Sequence, residues 1–128
     1  MKIELENGLI LCSLTLSYRG NEMTINNLIL DTGASETLIY RHAVQDLDIH
    51  LEDDDEFVFM RGIGGREMAI RKKVTLIRFG GFNALHFPID FGDSEIDSGI
   101  NGLLGLDILT AGKFVIDLSK MEVHQKPQ

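Results

Sequence analysis

The sequence holds one cysteine, only 12 basic residues against 20 acidic ones, and no apolar run long enough to cross a bilayer as a helix. Each scarcity removes a class of answer. A single cysteine cannot form an internal disulfide, so the fold does not require an oxidising compartment. Cys12 falls in phase with Ile10, Leu14 and Leu16, which makes it a buried strand residue rather than a reactive thiol. A net charge of −8 leaves no basic surface with which to release counterions, so neither nucleic acid nor an anionic membrane is an expected partner. Arg71-Lys72-Lys73 is the only basic run and reads as a solvated strand edge. Near the start, Glu4 and Glu6 break the pattern that a secretory signal would need before Leu9, and a cytoplasmic location is the expectation. There is no internal repeat and no low-complexity segment.

Metal and nucleophile chemistry are equally poorly provided for. Asp93, Glu95 and Asp97 imitate the start of a calcium loop, but Gly99 comes one place late and Leu104 stands where a bidentate glutamate is required. His42, His50, His86 and His124 are scattered, and none has a nucleophile on a suitable turn beside it. No metal and no cofactor is expected.

What remains is a chain of 128 residues, 44% hydrophobic, enough for one core and too short for two, so residues 1–128 are read as a single domain. Short apolar runs separated by turn signals dominate it. Ile3 and Leu5 alternate with charges before the turn Asn7-Gly8; Leu9 to Tyr18 is a strand, and Arg19-Gly20-Asn21 turns it into a second, Glu22 to Leu30. Val44 and Leu47 are spaced for a short helix or turn, and the acids from Glu52 to Glu56 read as a solvated loop because neighbouring charges repel. Phe57 to Arg61 and Glu67 to Ile70 flank a glycine-rich turn as a hairpin. Val74 to Phe79 and Leu85 to Phe91 are further strands, with Pro88 confining the second to an edge or a bulge. After a strand at Ile100 to Leu104 comes a short helix, Leu106 to Ala111, ended by Gly112, and then a hairpin from Lys113 to Gln125.

The chemistry concentrates at Leu28-Ile29-Leu30-Asp31-Thr32-Gly33-Ala34-Ser35. Here an apolar strand runs directly into an acid, a hydroxyl and a glycine. A carboxylate leaving a hydrophobic wall needs either hydrogen-bond donors or a second ionisable group to share its proton, so Asp31 is the first candidate for catalysis.

Asp31-Thr32-Gly33-Ala34-Ser35 resembles the active-site motif of the aspartic proteases. Two further motifs stand in register with it: the glycine-rich turn Gly62-Ile63-Gly64-Gly65, placed like the flap of that family, and Gly102-Leu103-Leu104-Gly105-Leu106-Asp107-Ile108-Leu109, similar to the strand and helix that close its active-site loop. The likeness runs from about Leu9 to Leu118 and is nearest to the single-domain, retroviral-type branch, the retropepsins.

The resemblance implies a mainly β fold, a single-domain retropepsin-like barrel with a flap hairpin and one short C-terminal helix. It implies an aspartic endopeptidase that works as a homodimer, because the family uses two facing Asp-Thr/Ser-Gly loops and this chain has one; Asp107 has no Thr-Gly after it. By the same resemblance Asp31 is the catalytic acid, Thr32 bonds across the dimer and Gly33 leaves room for substrate. Ser35, Glu36 and the flap residues Gly62, Ile63 and Gly64 meet the substrate main chain, while Ile29, Leu38, Ile63 and Leu103 line its side-chain pockets. The implied substrate is a peptide or protein with apolar residues near the cleaved bond. Two positions depart from retroviral enzymes, Ser35 and Leu106, where those enzymes place an ion-pairing Asp and Arg, so the dimer must be held differently. The alternative to the enzyme is a catalytically silent member of the fold, serving as a dimerisation or peptide-binding module.

Overall fold

The computed structural model describes residues 1–62, 65–94 and 98–126. Ten strands, one 3₁₀ segment at Arg41–Leu47 and one α-helix make up the described fold. In chain order the strands are β1 (Glu4–Glu6), β2 (Leu9–Tyr18), β3 (Asn21–Leu30), β4 (Leu38–Tyr40), β5 (Glu56–Gly62), β6 (Gly65–Phe79), β7 (Phe82–Gly92), β8 (Gly102–Leu104), β9 (Phe114–Asp117) and β10 (Glu122–Gln125). The helix α1 spans Leu106–Ala111 between β8 and β9. Among the described residues, no helix is long and apolar enough to cross a membrane.

Eight strands form one sheet in the order β1-β2-β3-β8-β4-β7-β6-β5, and β2 also pairs with β6, so the strands from β2 round to β6 close into a barrel. Closure joins β2 to β6 and leaves β1 and β5 as the end strands of the sheet. The turns follow from their residues. Asn7-Gly8 joins β1 to β2 as a two-residue loop with both φ values positive, +52° and +79°, the geometry whose twist matches the flanking strands.

Register places the residues in two rows. Cys12, Leu28, Ile39 and Phe91 are cross-strand neighbours on the inner face, all at 7% exposure or less. One step along each strand, Leu11, Ile29, Leu103, Leu38, Asp90 and Arg71 are neighbours on the outer face. The inner row joins Leu14, Leu16, Ile25, Val74, Ile77 and Ile89 in the core. Burial pushes the Cys12 thiol up to about 12, which keeps it protonated and unreactive. Pro88 lies in β7 opposite Lys73, before the pairing of β7 with β4 begins at Asp90, so its missing N–H faces an open edge.

Three expectations need correction. The hairpin strand from Glu67 and the strand from Val74 are one 15-residue strand, β6, because Arg71-Lys72-Lys73 interrupts the apolar pattern without interrupting the backbone pairing. That basic run is not a solvated edge. Only Lys73 is exposed; Arg71 forks onto Asp90 at 2.7 and 3.1 Å, and Lys72 is 4% exposed. Nor is the acidic loop wholly solvated, since Lys72 Nζ donates to Asp55 Oδ2 at 2.5 Å and to Glu52 Oε1 at 3.1 Å. Charges of one sign in a row repel, but here they converge on buried and half-buried charges of the other sign.

The C-terminal hairpin β9–β10 forms a separate two-stranded sheet, and β10 takes the N-terminal residues of its own chain. Ile3 N donates to Met121 O at 3.0 Å and Val123 N to Met1 O at 2.8 Å.

Glu52 carries a pH prediction. The Arg19 guanidinium, 2.6 and 2.7 Å away, and secondly the Lys72 ammonium hold its carboxyl down at about 2 from an ordinary 4.5; Tyr18 also donates to it, and Asp55 accepts from its backbone N–H. A carboxyl lowered in the folded state stabilises above its ordinary value and loses that contribution as pH falls through the folded one. Glu52→Gln is therefore expected to melt below wild type at neutral pH, with the gap closing between pH 4.5 and about 2. Thermal unfolding followed across that range checks it; a gap that persists at pH 2 would refute the assignment.

Candidate active site

The site is built at the end of β3. A register shift between β2 and β3 leaves an extra residue at Asn26–Asn27, with Asn27 at φ +57°, and such a bulge re-aims the strand beyond it. Asn101 holds the bulge, its side-chain amide donating to Asn26 O at 2.8 Å and its backbone N–H to Asn27 O at 2.9 Å. The re-aimed segment Leu28–Leu30 then runs parallel to β8. Asp31 N donates to Leu104 O at 2.9 Å as the last rung of that pairing.

Asp31 itself is half-buried, and Thr32 and Gly33 after it are exposed. Gly33 N donates to Asp31 Oδ1 at 2.9 Å and Ala34 N to Asp31 O at 3.2 Å, so the acid is fixed by the loop it begins. A Cβ at Gly33 would lie 3.2 Å from Asp31 Oδ1, crowding the carboxylate.

The loop is locked from behind by α1. Leu106 N donates to Ala34 O at 2.8 Å and Asp107 N to Ser35 O at 3.1 Å, so the helix's unpaired first N–H groups are satisfied by the loop's carbonyls. Asp107 returns the tie, its carboxylate accepting Thr37 N at 2.9 Å, Thr37 Oγ1 at 2.7 Å and Ile108 N at 2.8 Å. Thr37, wholly buried, also accepts Gly105 N at 3.1 Å through the same hydroxyl. The approach is close enough to require glycine at 105, where a Cβ would sit 2.7 Å from Ala34 O and 2.8 Å from Glu36 O.

Of the residues singled out from the sequence, the structure brings several onto one surface. Ile29 and Leu103 are in-register partners and half-buried; Leu38 is the next partner along but only 4% exposed. Ser35 and Glu36 are exposed on the loop itself. Gly62 ends β5 opposite Gly65, while Ile63 and Gly64 lie outside the described residues. Glu95 and Asp97 of the rejected calcium pattern lie outside them too, and Asp93 faces Arg41 at 3.8 Å. Among the described residues no three His, Cys, Asp or Glu side chains converge as a metal site, and all four histidines are exposed.

Thr37, Asp107, Asp90 and Arg71 were missed as site residues. Arg71 Nη2 lies 3.9 Å from Glu36 Oε1, so the Asp90–Arg71 pair reaches the loop, and Asp90 N donates to Thr37 O at 3.2 Å. The available signal was Asp107 in the first turn of a short helix, an acid at a helix start with no second role assigned to it.

Residues 15–108 match the family model described as aspartyl protease, in its retropepsin-like form. The chain belongs to the retropepsin-like aspartyl protease family. The matched span begins inside β2, contains the Asp31 loop and the glycine-rich turn, and ends in α1. No curated protein matches the chain. Peptide-bond hydrolysis is the chemistry of this aspartyl protease family, and the barrel with its β5–β6 hairpin and single short α-helix is the fold expected of it. Where retroviral members of the family place an Arg after the second glycine, this one has Leu106, and the side chain that ties α1 to the loop is that of its neighbour Asp107.

Thr37→Val keeps the shape of the side chain but deletes the hydroxyl between Asp107 and the buried Gly105 N–H. Leaving a buried donor unpaired costs about 2 kcal/mol, whereas Thr37→Ser keeps the hydroxyl and should cost less than about 1. Urea unfolding of both variants checks the lock; equal stabilities would show that the hydroxyl is not part of it.

Proposed function

We propose that the chain is an aspartic endopeptidase whose active form is a homodimer, each protomer of residues 1–128 contributing one Asp31-Thr32-Gly33 loop. The observation that carries the reading is an aspartate on an exposed loop that is rigidly held by backbone hydrogen bonds and present once per chain. A lone carboxylate can be a base or an acid toward a peptide bond, but hydrolysis through this family's chemistry needs both at once. Two copies facing each other supply both.

In that dimer, two carboxylates about 3 Å apart cannot both ionise and hold one proton between them. The charged member takes a proton from a water as it attacks the scissile carbonyl, while the protonated member donates to the carbonyl oxygen. Thr32 would bond across the seam and Gly33 leave room for the substrate backbone. Ser35, Glu36 and the hairpin residues Gly62, Ile63 and Gly64 would hold the substrate main chain, with Ile29, Leu103 and Leu38 beside apolar side chains. What supports this assignment is the family membership together with the shared outer face of Ile29, Leu103 and Leu38. A cytoplasmic setting, with no nucleic-acid or membrane partner, fits the single buried cysteine and the charge of −8.

Because each protomer supplies half the site, specific activity should rise with protein concentration and vanish on dilution below the dimer dissociation constant. Activity per mole that stays constant where sedimentation finds only monomer would overturn the proposal. Cleavage should be fastest in acid and fall on the alkaline side as the shared proton leaves. Asp31→Asn, which keeps the shape but can neither activate water nor relay the proton, should abolish cleavage and leave the dimer intact by sedimentation. A fully active Asp31→Asn would remove Asp31 from the mechanism.

A further inference from the structure

The β5–β6 hairpin is a cantilever. Among the described residues β5 pairs only with β6, and β6 gains its second partner, β7, from Ala69 onward. Two-stranded ribbons are marginal in water unless a face is buried, and here Phe57, Phe59 and Met68, which share one face, are 50%, 65% and 57% exposed. Among the described side chains of that face, the buried one is Ile70, opposite Phe57 at the root of the hairpin.

Charged groups stand at the same root. At the point where β6 enters the sheet, two adjacent residues are held on opposite faces, as strand alternation requires. On the outer face Arg71 forks onto Asp90, 2% exposed, and lies 3.9 Å from Glu36 of the Asp31 loop. On the inner face Lys72 donates to Asp55 and Glu52. Burial alone would push the Lys72 ammonium down; its bonds to Asp55 and Glu52 outweigh that and hold it above its ordinary value. Glu52 and Asp55 close a turn on each other immediately before β5, through Glu52 N to Asp55 Oδ2 at 2.7 Å and Asp55 N to Glu52 O at 3.0 Å. Glu52 is in turn gripped by Arg19 in the β2–β3 turn of the barrel. The roots of both hairpin strands are therefore clasped to each other and to the barrel.

Buried ion pairs seldom add net stability over apolar packing, because desolvation consumes most of the Coulomb gain; what they impose is a geometry. We propose that Arg71 and Lys72 are positioning residues, two opposed ionic pins at the root of the β5–β6 hairpin that fix its inclination to the face carrying Asp31, Ile29 and Leu103. One pin on each face sets the mean inclination of the strand and opposes its rolling, and the Arg71–Glu36 approach links that inclination to the active-site loop.

The test is Lys72→Met combined with Asp55→Asn, which removes the inner pin without orphaning a buried charge. Amide hydrogen exchange should quicken at least tenfold at Phe57–Phe59 and Met68–Ile70 and stay unchanged at Leu14–Leu16 in the barrel. Arg71→Lys, which keeps the charge but loses the fork, should quicken the same hairpin amides to a smaller degree. The kinetic arm rests on the proposed protease function: KM for a peptide should rise several-fold in the double variant with kcat within twofold of wild type. Unchanged hairpin exchange overturns the proposal whether or not any peptide is cleaved. So does uniform quickening of hairpin and barrel amides, which would make the cluster a general stabiliser. Absence of cleavage by the wild type, with the exchange result as expected, would count against the protease reading and leave the pins standing.

Discussion

Everything at the site depends on how a loop that leaves a sheet satisfies its own backbone. Asp31 to Glu36 can neither pair as a strand nor wind as a helix, so its carbonyls need donors from elsewhere. The first turn of α1 has the complementary need, since its leading N–H groups have no acceptor within the helix. Ala34 O and Ser35 O meet Leu106 N and Asp107 N, and each element supplies what the other lacks. The Thr37–Asp107 pair then sets the distance between them, and Gly105 permits the approach. Because this lock is made of hydrogen bonds within one chain, the loop is fully formed in a single protomer.

The sequence showed the architecture well wherever local rules decide it. Two-residue turns such as Asn7-Gly8, the alternation of β2, the glycine after α1 and the succession of strand and short helix from Gly102 were all legible, because each needs only neighbouring residues or a known spacing. The supports were not. Thr37 and Asp107 are 70 residues apart, and nothing local in Leu-Asp-Ile says that its carboxylate will fold back onto a threonine hydroxyl. Retroviral enzymes place an ion pair at positions held here by Ser35 and Leu106, and the carboxylate that holds the loop in this chain, Asp107, stands one residue beyond.

The charged segments were misread for a related reason. A run of like charges has a safe average reading, solvent, which holds only when no opposite charge arrives from a distant strand. Lys72 stands 17 and 20 residues from Asp55 and Glu52, and their meeting is a product of the hairpin that lies between them. β6 is divided in two by any rule based on apolar periodicity, because three cations in succession look like a boundary to it. In a strand crossing from the barrel into a projecting hairpin, neighbouring side chains serve opposite faces, so Arg71 and Lys72 have different partners while sharing one backbone.

The two sets of polar ties divide the labour between rigidity and adjustment. The lock behind Asp31 is short, buried and closed on itself, and its partners have few rotatable bonds: a threonine, an aspartate and peptide groups. The ties at the hairpin root use the longest side chains in the alphabet, with Arg71 and Glu52 each about a third exposed. Ion pairs made by long side chains tolerate small displacements that a backbone hydrogen bond does not, because Coulomb attraction falls off slowly with distance. In the homodimer proposed here the acid must not move while the hairpin must accept substrates of different shape. Placing the stiff interactions under the carboxylate and the compliant ones under the hairpin answers both demands with one barrel, and the 3.9 Å approach of Arg71 to Glu36 is where the two systems meet.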